Sequence, residues 1–306
     1  MRRAIVRAAS LAVLVVMACS CGSSGGSAGS AAQQAGGALA PAWTAIAQAL
    51  ENGVDNVCSR GEPRCVDAVV TEMRARLTAE LGTCDHLLPW TLIYLRVTET
   101  LGQLRSHSPS PFADPVWVTR LDAAFADLWF KADDAWRTGR TEEATPAWRA
   151  VYQAAGGKQV NAIGNLVMAM NAHISGDLPR ALASVQAGAQ HHDDFVRANQ
   201  LFEQNFMSGL AEVARRFDPT ASNIVVPGIG ETQAVVAAIA AWREEAFANS
   251  QHLLATAAGS AERASALAAI DASAAGRAAT LQIGTSYVPF AGAATIRDAF
   301  CGQHGA

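Results

Sequence analysis

In the middle of this chain the apolar residues recur every three or four positions, and that spacing restricts the fold more than any other feature. From Trp117 they run Leu121, Phe125, Leu128, Trp129, Ala132 and Trp136, which places one aromatic stripe along a single helix face. A stripe of this kind is core packing rather than a cofactor box. Asp114-Pro115 and Thr145-Pro146 each set a capping residue before a proline at the first helical position, where the missing N–H costs least. Helices should begin at both. Similar patterns predict helices over 42–52, 65–81, 88–104, 147–155, 158–175, 178–189, 194–217, 232–257 and 261–278. Breaks fall at Gly156-Gly157, at Asp218-Pro219 and across 224–230. Strand signals are confined to 223–226 and 281–288, and no segment repeats at a fixed period. The expectation is an all-α fold, a single multi-helix domain with orthogonal or bundle-like packing.

Ahead of that domain, Arg2, Arg3 and Arg7 precede an apolar run over 11–17 that ends in small residues and cysteine, the layout of a signal peptide. The run is shorter than the roughly 20 residues a helix needs to span a bilayer. Val16-Met17-Ala18-Cys19 resembles a lipobox, in which the cysteine is acylated and becomes the new N-terminus. The resemblance implies a leader over 1–18 with the lipid on Cys19. The register Ala18-Cys19-Ser20-Cys21 would move the lipid to Cys21, and ordinary secretion is the bland alternative. Residues 19–40 are mostly Gly, Ser and Ala, a flexible tether, and 41–306 form the helical domain. The expected location is the outer face of the cell membrane, with the membrane as partner through the lipid.

A formal charge of −4 without a basic run argues against nucleic acid as a partner. Exported cysteines meet an oxidising compartment, and Cys58, Cys65, Cys84 and Cys301 allow three pairings. One closes the turn between Cys58 and Cys65 and ties Cys84 to Cys301. No Cys-x-x-Cys is present to suggest zinc at these thiols.

His173 and Asp177 are four residues apart and share a face if one helix runs through both, so imidazole and carboxylate could chelate one metal ion. His192 and Asp194 repeat the same ligand types at the start of another predicted helix, and Asp122 lies mid-helix on the aromatic stripe, where no capping role explains it. Such clusters on neighbouring helices could hold zinc or another divalent ion. The plainer reading makes Gly176 a helix end, Asp177 and Asp193 or Asp194 caps, and His173 a buried histidine bonded to Asn171, Asp122 or a backbone carbonyl. Within 41–306 there is no Gly-x-Ser-x-Gly elbow, phosphate-cradling loop or His-Glu-x-x-His motif.

The stretches Phe112-Ala113-Asp114-Pro115-Val116-Trp117-Val118, Asp122 with Phe125, Trp148-Arg149, and 171–182 with its Asn-Ala-His-Ile start resemble a bacterial family described only as a domain of unknown function. Asp193-Asp194-Phe195 with Asn199 matches a further element in part. The resemblance covers about 85–250 and implies an all-helical domain with His173, Asp177 and Asp194 near one another, supported by Asn171 and Asn199. More distantly, the His173 to Asp177 pair is similar to one in the zinc-dependent phospholipase C and P1 nuclease group. Pro179 and Ala183 stand where that group has histidines, which implies at most a reduced site of one or two ions.

These features lead to a surface-tethered helical lipoprotein with a binding or scaffold role. The alternative is a metal-dependent hydrolase of phosphoesters or lipid-derived substrates, using His173, Asp177, His192 and Asp194. An apolar-ligand carrier is a third reading and requires an apolar cavity.

Overall fold

A computed structural model describes residues 41–222, 225–226, 229–287 and 292–305. The leader, Cys19, Cys21 and the tether lie outside the described residues.

Eleven α-helices account for most of the described chain: α1 Pro41–Glu51, α2 Pro63–Leu81, α3 Leu88–Arg105, α4 Pro115–Arg137, α5 Pro146–Gly156, α6 Ala162–Asn171, α7 Leu178–Ser184, α8 His192–Arg216, α9 Thr232–Leu254, α10 Ala261–Thr285 and α11 Ala293–His304. A π-helical segment, Ala172–Asp177, joins α6 to α7 without a break. The fold is all-α. None of the described helices is long and apolar enough to cross a membrane.

Local chemistry explains the starts. Asp114 accepts a hydrogen bond from Trp117 N–H at 2.8 Å and Pro115 opens α4. Pro146 opens α5, although Thr145 makes no capping bond. Asn161 accepts from Gly164 N–H at 2.8 Å and starts α6 later than the pattern from 158 predicts.

The aromatic stripe of α4 is core: Trp117, Phe125 and Trp129 are buried, and Phe130 meets Trp43 of α1 edge-on with ring centroids 5.1 Å apart. Helix α3 runs through the centre between α2, α6 and α8, while α9 and α10 cover the π segment from outside. A buried charge network ties α2 to α4. Arg76 donates to Glu72, Asp133 and Asp134, and Arg137 donates to Asp133 and Glu80.

Two expectations change and one holds. Residues 281–285 are the last turn of α10 rather than a strand, because Ala274, Ala278, Leu281 and Thr285 form one buried helical face. Residues Val225–Val226 do pair with Gly230–Glu231, as a short antiparallel ribbon. Helix α11 has no counterpart in the sequence reading, since only Arg297 and Cys301 of it are buried. Arg297 fastens it by donating to the Cys84 and Asp85 carbonyls, and Cys301 is disulfide-bonded to Cys84. A second disulfide joins Cys58 to Cys65.

Candidate functional site

Every residue of the π segment is buried, and it carries the pair His173 and Asp177. Widening a helix by one residue per turn is a rare arrangement that recurs at functional sites. Here the Leu178 N–H bonds back to the His173 carbonyl, five residues earlier. Gly176 therefore does not end a helix and Asp177 caps nothing, as the helix continues through both.

The Asp177 carboxylate instead turns inward. Trp148 Nε1–H, which can only donate, gives a 2.7 Å hydrogen bond to Asp177 Oδ2. That oxygen is thus an acceptor, and His173 Nδ1–H donates to the same atom at 2.9 Å. His173 is 1 % exposed and Asp177 2 %. With Nδ1 carrying the proton, Nε2 presents a bare lone pair, and this buried nitrogen has no hydrogen-bond partner among the described residues. Burial lowers the His173 pKa, partly offset by the bond to Asp177, which keeps the ring neutral at neutral pH.

Aromatic rings fix the imidazole. Phe125 stacks on it with centroids 3.5 Å apart and planes 9° from parallel, while Tyr94 and Trp90 meet it edge-on at 4.9 and 5.3 Å. Together these residues line a half-open cavity of about 90 Å³. Its walls come from α3, α4, α6, the π segment, α7, α8 and α9, and they are apolar except near His173, Tyr94, Asp122 and Arg243.

Asp122 is 8 % exposed, its Oδ2 has no partner among the described residues, and burial raises its pKa to about 7. The Tyr94 hydroxyl likewise finds no described partner; burial pushes its pKa well up, with the nearby Asp122 charge adding to the shift. Arg243 sits partly exposed on the cavity wall with its guanidinium 5.0 Å from the Phe195 ring, and burial pulls its pKa down to about 10.

The structure thus sets His173 and Asp122 on one cavity, with Asp177 behind His173 rather than lining it. His192 and Asp194 do not line it. His192 bonds Glu244 at 3.0 Å on the surface. Asp194 accepts from the backbone N–H groups of Ala113 and Asp114 at 2.8 and 2.7 Å, and so fastens α8 to the loop before α4 instead of capping its own helix. Asn171 donates to the Ala274 carbonyl at 2.8 Å, locking α6 to α10. The Asn199 side chain lies outside the described residues. Among the described residues no three His, Cys, Asp or Glu side chains come together to hold a metal ion.

A family model described as a family of unknown function, DUF5995, matches residues 66–283. The chain belongs to this family. No curated protein and no solved structure matches it. The DUF5995 region runs from α2 to the last turn of α10, so it contains every wall of the cavity and leaves out α1 and α11. Tyr94, Trp148 and Arg243 belong to the site but were not singled out for it in the sequence. Trp148 sits in a conspicuous Pro-Ala-Trp-Arg stretch, whereas nothing local marks Tyr94 or Arg243.

Proposed function

We propose that this DUF5995 chain is an exported lipoprotein, held at the outer face of the cell membrane by an acylated Cys19 or, in the alternative register, Cys21. Its helical domain binds a small molecule in the His173 cavity. The observation that carries the binding reading is the cavity itself: a concave apolar wall with a few polar groups set at one place is the usual form of a small-molecule site. At about 90 Å³ it is smaller than a dry cavity of roughly 150 Å³ that admits benzene. It suits a short apolar group or the end of a longer one that leaves through the open side. The two disulfides fit an oxidising compartment.

The test is native mass spectrometry on the full chain purified from bacterial membranes, beside a Leu121→Trp variant that fills the cavity. A bound small molecule in the wild type and none in the variant is the expected result; identical spectra sink the reading. Membrane retention lost in Cys19→Ser but kept in Cys21→Ser places the lipid on Cys19.

A second reading, a metal-dependent hydrolase, draws on one feature. A histidine whose Nδ1–H is held by a carboxylate is the usual form of a metal-ligating imidazole, with His173 Nε2 as the donor atom and Asp177 behind it. Elemental analysis of the same sample decides it. Near-stoichiometric zinc or another divalent metal that disappears in His173→Ala supports the hydrolase and displaces the binding role.

A further inference from the structure

We propose that the His173 cavity moves a proton on a small ketone or related carbonyl compound: His173 Nε2 takes the proton from the carbon beside the carbonyl, while the Trp90 N–H and the Tyr94 O–H hold the oxygen. This inference rests on the binding reading above and gives the bound molecule a reaction.

The three groups form one cluster. The rings of Trp90, Tyr94 and His173 lie 4.9 to 5.3 Å from one another, centroid to centroid, and all three residues line the cavity. Trp90 Nε1, the Tyr94 hydroxyl and His173 Nε2 are buried and have no hydrogen-bond partner among the described residues. An indole nitrogen can only donate and a phenol has an O–H to give, whereas Nε2 can only accept, because the proton sits on Nδ1 and is committed to Asp177. Enolate formation requires the same set: one bare base for the proton, and donors placed where negative charge appears on oxygen. Apolar walls strengthen those hydrogen bonds by keeping water away. Phe125, stacked on the imidazole at 3.5 Å, fixes the direction of the base, and Arg243 adds a positive charge to the same wall.

In the step, the electron pair of the C–H bond becomes the C=C bond of an enolate and the carbonyl π pair moves onto oxygen. His173 becomes an imidazolium, whose charge the Asp177 carboxylate balances through the Nδ1–H bond. The proton then returns to the same carbon or, where a C=C bond follows that carbon, to the carbon two bonds further on, which shifts the double bond. Neither route needs an oxidant, a reductant or a second substrate. Among the described residues no Ser, Thr or Cys lines this cavity, so the base has no hydroxyl or thiol to activate for acyl transfer. Asp122 lines the same cavity; its carboxylate form is a rival base and its acid form a further donor. The volume limits the buried part to about four heavy atoms by comparison with a benzene-sized cavity.

The experiment incubates the full chain with 2-butanone in neutral D2O containing a metal chelator. Proton NMR follows the replacement of hydrogen by deuterium beside the carbonyl, and saturation transfer from the protein reports binding of the ketone. Exchange is expected about 100-fold or more faster than with free imidazole at the protein's concentration, the usual gain from a positioned base. His173→Gln is expected to abolish the gain. Tyr94→Phe, which deletes one oxygen, is expected to slow exchange about tenfold or more and serves if the first variant fails to fold. Asp122→Asn cannot act as a base but still donates, so it is expected to keep the rate within about tenfold. Loss of exchange in a folded Asp122→Asn, or its survival in a folded His173→Gln, overturns the assignment of the base. Binding of the ketone with exchange no faster than with imidazole overturns the reaction and leaves the cavity as a binding site. Absence of binding overturns the reaction too, and the binding reading then stands or falls on the mass spectra described above.

Discussion

Asp177 is positioned by what donates to it. The indole of Trp148 and the imidazole of His173 meet on a single oxygen, so losing one donor loosens the other. Trp148→Phe keeps most of the ring volume and removes the N–H. Urea denaturation should show a loss of about 1–3 kcal/mol, the range for a buried hydrogen bond to an acceptor left short of a donor. A second residue, Glu80, predicts a pH response. Burial raises its carboxyl pKa well above the ordinary value of 4.5, the Asp85 charge adds to the shift, and Arg137 only partly offsets it. An acid whose pKa is higher folded than unfolded binds its proton more tightly in the native state. Its contribution to stability is complete below pH 4.5 and is lost as pH rises through the folded value. Glu80→Gln should flatten that decline when denaturation midpoints are compared between acidic and mildly alkaline pH. An equally steep decline in the variant contradicts the assignment. The four-residue spacing of His173 and Asp177 was legible in the sequence because it is local. Their roles were not, since the donor that orients Asp177 comes from Trp148, on a different helix.

Among the elements, the long helices could be read from periodicity because their buried faces repeat over many turns, as on α4. The π segment could not. Its residues Ala172 to Asp177 are all buried, so no polar face betrays the change of pitch, and Gly176 and Pro179 imitate a helix end. Helix α10 supplies a test of how closely the elements approach. A Cβ added at Gly164 of α6 would lie 2.7 Å from both Thr285 Cβ and Val160 Cβ, and the backbone there cannot yield easily because Asn161 N–H donates to the Thr285 carbonyl at 3.1 Å. Gly164→Ala is therefore expected to destabilise by about 1–3 kcal/mol, the usual range for overpacking. That is opposite to the gain that alanine brings at an open helical position. Thermal melts of Gly164→Ala beside Gly276→Ala, where nothing lies within 4 Å of the new methyl, separate the two effects.

For the molecule as a whole, the disulfides differ most in the length of chain they close. Cys58–Cys65 spans 7 residues and Cys84–Cys301 spans 217. If loop entropy governs, replacing the long pair by serines should cost up to about 5 kcal/mol and the short pair about 2, read from denaturant midpoints under non-reducing conditions. The reverse order would mean that local packing outweighs chain entropy. The long bridge also decides how the molecule carries load. A pull applied between α1 and α11 can straighten the residues up to Cys84, except those inside the Cys58–Cys65 loop, and then crosses the sulfur–sulfur bond to Cys301. Every wall of the His173 cavity, from Trp90 to Arg243, lies in the bypassed segment. While that bond is intact, tension along the backbone goes round the cavity, and only its reduction would place the cavity in series with the force.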